Sequence, residues 1–250
     1  MDPYFWQIPV LILVGAVAGV LNVLAGGGSL LTLPLLIFFG LPAATANGTN
    51  RVAIFCQNIF AITGFKRQGI FPIRLALLCI PPALIGSYIG ANLAITVDEM
   101  VFRRLLALVM VGVLLFMIVD PLKHLQQAEK PITPARLALL VVSFFGIGIY
   151  GGFVQAGVGF LIITGLLVHG LDLVRINAVK VLVIFAFTVV ALGVFVVHGQ
   201  VDYALGLALA AGNSAGGWFA SHLAVKKGHE WIKRFVIATV LIFALRLLLP

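Results

Sequence analysis

The sequence is poor in charge. Asp, Glu, Lys and Arg make up only 10% of its 250 residues, whereas hydrophobic residues make up 62%. A water-soluble globule of this size needs more polar surface than these residues can provide, so a soluble enzyme is excluded. The composition instead predicts an all-α, polytopic membrane protein in contact with the lipid bilayer.

Cysteine is also scarce, and the histidines lack the spacing of metal ligands. The two cysteines, Cys56 and Cys79, fall in apolar segments without metal-ligand spacing, and none of the five histidines forms a metal-binding pair. We therefore expect no metal site. The net charge of +8 would suggest nucleic acid in a soluble protein. Here the basic residues lie mainly between hydrophobic segments, as in cytoplasmic loops, so no nucleic-acid partner is expected.

Ten apolar segments follow one another along the chain. Eight are long enough to span a bilayer, but the second and seventh have about a dozen residues each. As helices these two would rise only ~18 Å against a hydrocarbon core of ~30 Å, so we predict broken or re-entrant half-helices. The segments are 7–25, 29–40, 46–65, 73–95, 102–119, 136–155, 159–170, 175–198, 202–225 and 231–249.

A polar linker divides the chain near its middle. We predict a first transmembrane repeat at 1–119, a cytoplasmic linker at 120–135 and a second repeat at 136–250. An ungapped shift of 130 residues aligns the halves, placing Gly27 on Gly157 and Asn47 on Asn177. Matches at Gly and Asn are informative because Leu and Ala coincide by chance in apolar sequences, so the pattern indicates an internal repeat.

Basic residues indicate that the two repeats are inverted. Lys66 and Arg67 follow the third segment, whereas the equivalent loop at 198–202 has no Lys or Arg. The next loop reverses this asymmetry, since residues 98–99 are acidic and their counterparts lie near Lys226 and Lys227. Equivalent loops then lie on opposite sides of the membrane, with both termini outside. Inversion requires an odd number of crossings per repeat, either three or five.

The polar residues inside the apolar segments form two matching groups. Glycine-rich breaks at 25–29 and 155–159 leave backbone N–H groups that attract an anion beside a helix N-terminus, although glycines also permit close helix packing. After the breaks, Asn47, Arg51 and Asn58 lie on one helix stripe. Asn177 and Lys180 are placed similarly in the second half. Intramembrane cations indicate function, with extension of the side chain to the membrane surface as the alternative.

These considerations define the candidate site. The expected substrate-binding residues are Gly26, Gly27, Gly28, Ser29, Asn47, Thr49, Asn50, Arg51, Asn58, Gln155, Gly157, Gly159, Asn177 and Lys180. His169 and His222 are candidate proton carriers, because histidine titrates near neutral pH. No catalytic residues are expected.

The stretch "AGGGSLLTLPLLIFFGLPAATANGTNR" at 25–51 resembles the signature of the TauE/SafE family of sulfite exporters and sulfonate permeases. The second-half element at 151–180 is similar to the family's degenerate second copy, although Thr164 replaces the equivalent of Pro34. The resemblance implies a secondary carrier for sulfite, sulfonates or related sulfur-containing anions, acting without a cofactor. We expect a small anionic substrate, a bacterial inner membrane and export by alternating access; the sequence is also compatible with a homo-oligomer.

Three other functions remain open on the sequence alone. An anion channel would use the same polar residues, and a membrane assembly subunit would need none of them. An intramembrane enzyme requires a nucleophile with a base or a metal site, and the sequence has no His-Glu-x-x-His motif. The matched polar stripes favour transport over these three.

Overall fold

The computed structural model describes residues 4–119, 133–167 and 173–223, and in this part of the chain all regular structure is α-helical. The predicted segment at 231–249 lies outside the described residues. The other nine predicted segments are confirmed as helices, with ends that differ by a few residues. The helices are α1 Tyr4–Leu24, α2 Ser29–Phe38, α3 Ala43–Arg67, α4 Ile73–Thr96, α5 Glu99–Val119, α6 Pro134–Phe153, α7 Val158–Leu167, α8 Leu173–Val197 and α9 Tyr203–Leu223.

The two short helices, α2 and α7, have 10 residues each. A helix of that length rises about 15 Å, half the thickness of a hydrocarbon core. The other seven described helices have 20 to 25 residues. The second and seventh helices are therefore short, as the sequence predicts.

Local chemistry explains where α3 begins and ends. Pro42 precedes the helix, and the backbone N–H of Ala43 donates to the Glu99 carboxylate at 2.7 Å. A carboxylate at this end is favourable because helix N-termini carry free N–H groups and partial positive charge. Past the other end, Gly69 has a φ of +75°, a conformation open to glycine at little cost. Its equivalent after α8, Gly199, has a φ of +68°.

Four described helices are both long and apolar enough to cross a membrane: α1, α4, α6 and α8. The 25-residue helix α3 is not among them because it carries a run of polar residues. Asn47, Asn50 and Arg51 are nevertheless 0% exposed, so they face other helices rather than lipid. The protein is accordingly a polytopic helical bundle in which the polar residues of α3 face neighbouring helices.

Helices of the two halves pack across each other. Helix α1 lies along α9, and in the equivalent way α6 lies along α4. Likewise α3 contacts α9 and α8 contacts α4. The shift of 130 residues turns the pair α1 and α9 into α6 and α4, and the pair α3 and α9 into α8 and α4. The pairing thus follows the internal repeat, while the inverted orientation of the halves in the membrane stays a prediction.

Glycines spaced four residues apart permit these close crossings. At the α1 and α9 crossing, a Cβ on Gly19 would overlap the Asn213 carbonyl oxygen, and one on Gly216 would overlap that of Ala16. Gly86 and Gly152 stand equally close to backbone at the α4 and α6 crossing. Small residues at this spacing let helix backbones approach where lipid supplies no hydrophobic driving force. These glycines are packing residues.

Candidate functional site

The two breaks in the helices touch each other. The first separates α1 from α2, and the second separates α6 from α7. A Cβ built on Gly26 would lie 2.5 Å from Gly159 Cα, and one built on Gly159 would overlap Gly26 Cα in return. Gly26 also has a φ of +84°, a region that other residues rarely adopt. The halves therefore meet backbone to backbone, where no larger residue fits.

The other glycines of the breaks pack against their surroundings. A Cβ on Gly28 would overlap the Ala18 carbonyl oxygen, and one on Gly27 would lie 2.9 Å from the Phe160 ring. Gly157 has a φ of +75° and would place a Cβ 2.7 Å from the Val113 side chain. These three glycines give the breaks their shape and are not part of the cavity wall.

A cavity lies beside the contact between the breaks. Its volume is about 290 Å³, which includes the open solvent at its mouth, and only a small part of it is wide enough for water. That is room for about one water, so the cavity is constricted in this conformation. Both halves contribute to its wall: Asn22, Gly26, Ser29, Ile54, Gln57, Asn58, Gln155, Val158, Val181 and Ile184.

Amide groups link three helices on one side of the cavity. Asn22, in the last turns of α1, donates from Nδ2 to Gln57 Oε1 of α3 at 2.9 Å. Its Oδ1 accepts from the backbone N–H of Ser29, the first residue of α2, at 3.2 Å. Asn22 thus occupies an N-terminal donor of α2 and connects it to α3. Asn58 donates to the carbonyl oxygen of Ile54 in its own helix at 2.9 Å.

Gln155 connects the cavity to the first buried cation. Its Nε2 donates to Thr188 Oγ1 at 2.9 Å, and its Oε1 lies 3.5 Å from Arg51 Nη1. Gln155 is 2% exposed and Thr188 is 0% exposed. The amide is therefore held at both ends, and Arg51 lies one side chain away from the cavity wall.

Arg51 is 0% exposed and its guanidinium is held by the second half of the chain. Nη2 donates to the carbonyl oxygen of Gly152 at 2.5 Å and approaches Asn47 Oδ1 at 3.4 Å. The group also lies 4.9 Å from the centre of the Phe195 ring. Its Nε has no hydrogen-bond partner among the described residues. The guanidinium therefore retains one unused donor.

Lys180 is the second buried cation, also at 0% exposure. Its Nζ donates to the carbonyl oxygen of Val23 at 2.8 Å and to Asn177 Oδ1 at 2.6 Å. Neither Lys180 nor Arg51 pairs with a carboxylate in the described part of the chain, whereas Arg103 pairs with Glu99 on α5. Neither side chain extends to the protein surface.

The two cations occupy related places. Phe153, the repeat equivalent of Val23, accepts a hydrogen bond at its carbonyl oxygen from Asn47 Nδ2 at 2.7 Å. Helices α1 and α6 both end here, and a helix C-terminus carries partial negative charge. Each end thus receives polar donors from the opposite half, with Lys180 at α1 and with Asn47 and Arg51 at α6.

Two predicted site residues lie in other contacts. Thr49 accepts the backbone N–H of Asp202 at its Oγ1 at 2.9 Å, ahead of α9. Asn50 accepts from Thr32 Oγ1 at 2.6 Å, while its buried Nδ2 has no partner among the described residues. Of the predicted set, the cavity wall includes Gly26, Ser29, Asn58 and Gln155.

The candidate proton carrier His222 is not among the residues that line this cavity. His169 lies outside the described residues. His222 Nδ1 lies 2.9 Å from the carbonyl oxygen of Trp218, one turn earlier on α9. No group of three or more potential metal ligands was found in the residues that the structure describes.

Sequence reasoning missed two polar residues of the cavity, Asn22 and Gln57. Both were visible as single amides within apolar segments, where an intramembrane polar residue is a sign of function. They were overlooked because their repeat equivalents, Gly152 and Phe187, are not polar. A polar residue that is present in one half alone does not stand out when the two halves are compared for matching polar residues.

Comparison with known proteins covers almost the whole chain. A probable membrane transporter protein of Haemophilus influenzae is 25% identical over 95% of this chain and 92% of its own length. The probable membrane transporter protein ORF9 of Sinorhizobium sp. is 26% identical over 99% of this chain and 94% of its own. For the probable membrane transporter protein YfcA of Escherichia coli K12, the values are 26%, 96% and 88%.

No solved structure matches the chain. The family profile described as "Sulfite exporter TauE/SafE" matches residues 11–247. That match spans both helix breaks and both buried cations. The protein is therefore an integral membrane protein that belongs to the sulfite exporter TauE/SafE family.

Proposed function

We propose that this membrane transporter is a secondary carrier that exports small sulfur-containing oxyanions, such as sulfite or sulfonates, by alternating access. The substrate binds at the cavity beside the two helix breaks. Gly26, Ser29, Asn58 and Gln155 provide contacts from the wall. Arg51 and Lys180, with Asn47 and Asn177 beside them, supply positive potential from just outside it.

The observation that carries this proposal is the pair of buried cations without carboxylate partners among the described residues. Burying an unpaired charge costs free energy, and proteins ordinarily balance buried cations with acidic groups. Here helix C-termini and side-chain amides provide only partial negative charge. An anionic substrate in the cavity would complete the balance through the positive potential of these two side chains.

The size of the cavity favours a carrier over a channel. With room for about one water, the cavity is too narrow for a hydrated anion in this conformation. An anion could enter only if the halves moved apart. The contact between Gly26 and Gly159, which belong to different halves, is a suitable place for such a movement.

We further propose that the protein resides in a bacterial inner membrane with both termini outside. The three relatives are bacterial, and the loop charges follow the positive-inside rule with the mid-chain linker in the cytoplasm. Export agrees with the name of the family. The direction of net transport then depends on the gradients across the membrane.

Reconstitution into proteoliposomes tests this function. Vesicles loaded with sulfite, thiosulfate, methanesulfonate, sulfate or a neutral sugar are assayed for uptake of each of these anions in labelled form, with protein-free vesicles as the control. A carrier gives saturable uptake that sulfur-containing anions inside the vesicle stimulate. Linear, unstimulated uptake indicates a channel. The absence of protein-dependent uptake of every anion removes the proposal.

A further inference from the structure

We propose that the substrate of this carrier binds in one fixed orientation. Its oxyanion group faces a polar wall formed by Asn22, Ser29 and Gln57, and an apolar substituent faces a wall formed by Val158, Val181 and Ile184. This inference rests on the proposed function and names the chemistry of the substrate within it. The protein prefers an organic oxyanion with a short alkyl group to an inorganic anion.

Polar and apolar residues are distributed unequally around the cavity. Polar lining residues come mainly from the first half: Asn22, Ser29, Gln57 and Asn58. The second half contributes Val158, Val181 and Ile184, with Gln155 as its polar member. The repeat equivalents of Asn22 and Gln57 are Gly152 and Phe187, so the second half has no matching amides.

Two side chains of the polar wall, Gln57 and Ser29, have hydrogen-bond donors available for a ligand. Gln57 uses Oε1 to accept from Asn22, but its Nε2 has no partner among the described residues. Ser29 Oγ is also without a partner in that part of the chain, although its backbone N–H is bonded to Asn22. Both side chains are 2% exposed. Two buried donors facing a cavity favour an acceptor-rich ligand group such as a sulfonate.

Gln155, the polar residue of the opposite wall, has no free hydrogen-bonding group to offer a ligand. Gln155 donates to Thr188 and accepts from Arg51, so both ends of its amide are already used. The rest of that wall is formed by branched aliphatic side chains. An oxyanion oriented toward it would lose hydration without gaining hydrogen bonds, whereas an alkyl group would lose only unfavourable contact with water.

Before the substrate binds, the side chain of Asn22 occupies the position of an oxyanion oxygen. Its Oδ1 accepts the N-terminal backbone N–H of α2 at 3.2 Å, a place suited to an oxyanion oxygen. A sulfonate oxygen can displace the carboxamide and accept the same N–H together with the donors of Gln57 and Ser29. Gln57 and Ser29 are therefore the residues that bind the oxyanion directly, and Asn22 affects specificity because the oxyanion must displace its carboxamide.

A homologous series of ligands tests the orientation with the unmodified protein. Binding to the purified full-length chain is measured by calorimetry for sulfite, methanesulfonate, ethanesulfonate and 1-propanesulfonate. Each added methylene group should tighten binding roughly three- to fourfold, the value expected for burial of one methylene at about 0.8 kcal/mol. Binding of sulfite with equal or weaker binding along the series overturns the inference and leaves the proposed function intact. The absence of binding of any anion removes both.

Two variants separate the walls. Gln57→Leu should weaken every ligand by the same factor, roughly tenfold, without changing the increment per methylene. Val181→Thr keeps the shape but adds a hydroxyl, so it should reduce the increment and change sulfite binding little. Asn92→Leu and Val189→Thr make the same changes away from the cavity and should match the wild type.

Size-exclusion profiles and melting temperatures monitor the folding of each variant. Equal effects of Gln57→Leu and Val181→Thr on the increment would contradict the assignment of the walls. If either variant does not fold, the ligand series on the wild-type protein decides the matter alone.

Discussion

Lys180 donates from its Nζ to the carbonyl oxygen of Val23 at 2.8 Å, and this bond joins α8 of the second half to the last turn of α1 in the first. The equivalent carbonyl in the other half, that of Phe153, accepts from Asn47 at 2.7 Å. Both bonds connect opposite halves beside the helix breaks. Any movement that separates the halves must break or exchange these two hydrogen bonds.

Replacing Arg51 by leucine should reduce anion transport roughly 10- to 100-fold. This range corresponds to the loss of a charge-assisted hydrogen bond worth about 1.5–3 kcal/mol. Arg51→Lys keeps the charge and should retain part of the activity. Flux into proteoliposomes is measured beside the amount of protein inserted. Unchanged flux in Arg51→Leu at equal insertion would contradict a role for this charge.

Asn47→Asp should reduce anion affinity without unfolding the protein. Asn47 Oδ1 already lies 3.4 Å from Arg51 Nη2, so a carboxylate there would pair with the guanidinium and cancel its positive potential. We expect roughly a tenfold or greater loss of affinity in a sulfite binding assay. The melting temperature should also fall, because a carboxylate cannot donate the hydrogen bond that Asn47 Nδ2 gives to the Phe153 carbonyl oxygen. Asn92→Asp, on the exposed side of α4, is the control. Full affinity in Asn47→Asp would argue against charge attraction at this site.

Lys180→Met should separate stability from function. The substitution removes a buried cation while keeping an unbranched chain of similar length, so the unfolding free energy should change little or rise. Transport should fall by roughly tenfold or more because half of the buried positive charge is lost. Thermal melting in detergent and proteoliposome flux are measured on the same preparation. A large loss of stability with normal flux per folded molecule would assign Lys180 a purely structural role.

Gly26→Ala and Gly159→Ala should each disturb the contact between the breaks. Either methyl group would lie within 2.5 Å of the facing backbone, and the alanine at position 26 would also adopt a positive φ. Strain of this kind costs on the order of 1–3 kcal/mol. Melting temperature and flux should both fall. Gly112→Ala is the control, since nothing lies within 4 Å of the position that its methyl group would take. Wild-type melting of Gly159→Ala would show that the breaks separate readily.

The inverted topology can be tested by labelling single cysteines. In a background with Cys56→Ser and Cys79→Ala, we expect an impermeant maleimide to label Asp2→Cys from the outside of the inner membrane. Gln126→Cys in the linker should react only after permeabilisation. Outside labelling at both positions would contradict an odd number of crossings in the first repeat.

The helices themselves were predictable from local sequence. Apolar runs identified nine described helices, and the shift of 130 residues matched α3 with α8, which both have 25 residues. Glycine clusters located both breaks. These features depend on hydropathy and on backbone preferences within a few residues, and such information is present in any short window of sequence.

The partners of the polar residues depend instead on how distant helices are rotated against each other. Arg51 and Gly152, 101 positions apart, are joined by a hydrogen bond, and no periodicity predicts that a guanidinium would meet a helix C-terminus. The same rotation turns Asn22 and Gln57 toward one cavity and directs Thr49 toward α9. The sequence by itself determined a duplicated helical membrane protein with polar breaks. Only the tertiary structure decided which of its polar groups share a site, because side-chain packing across the two halves sets those rotations.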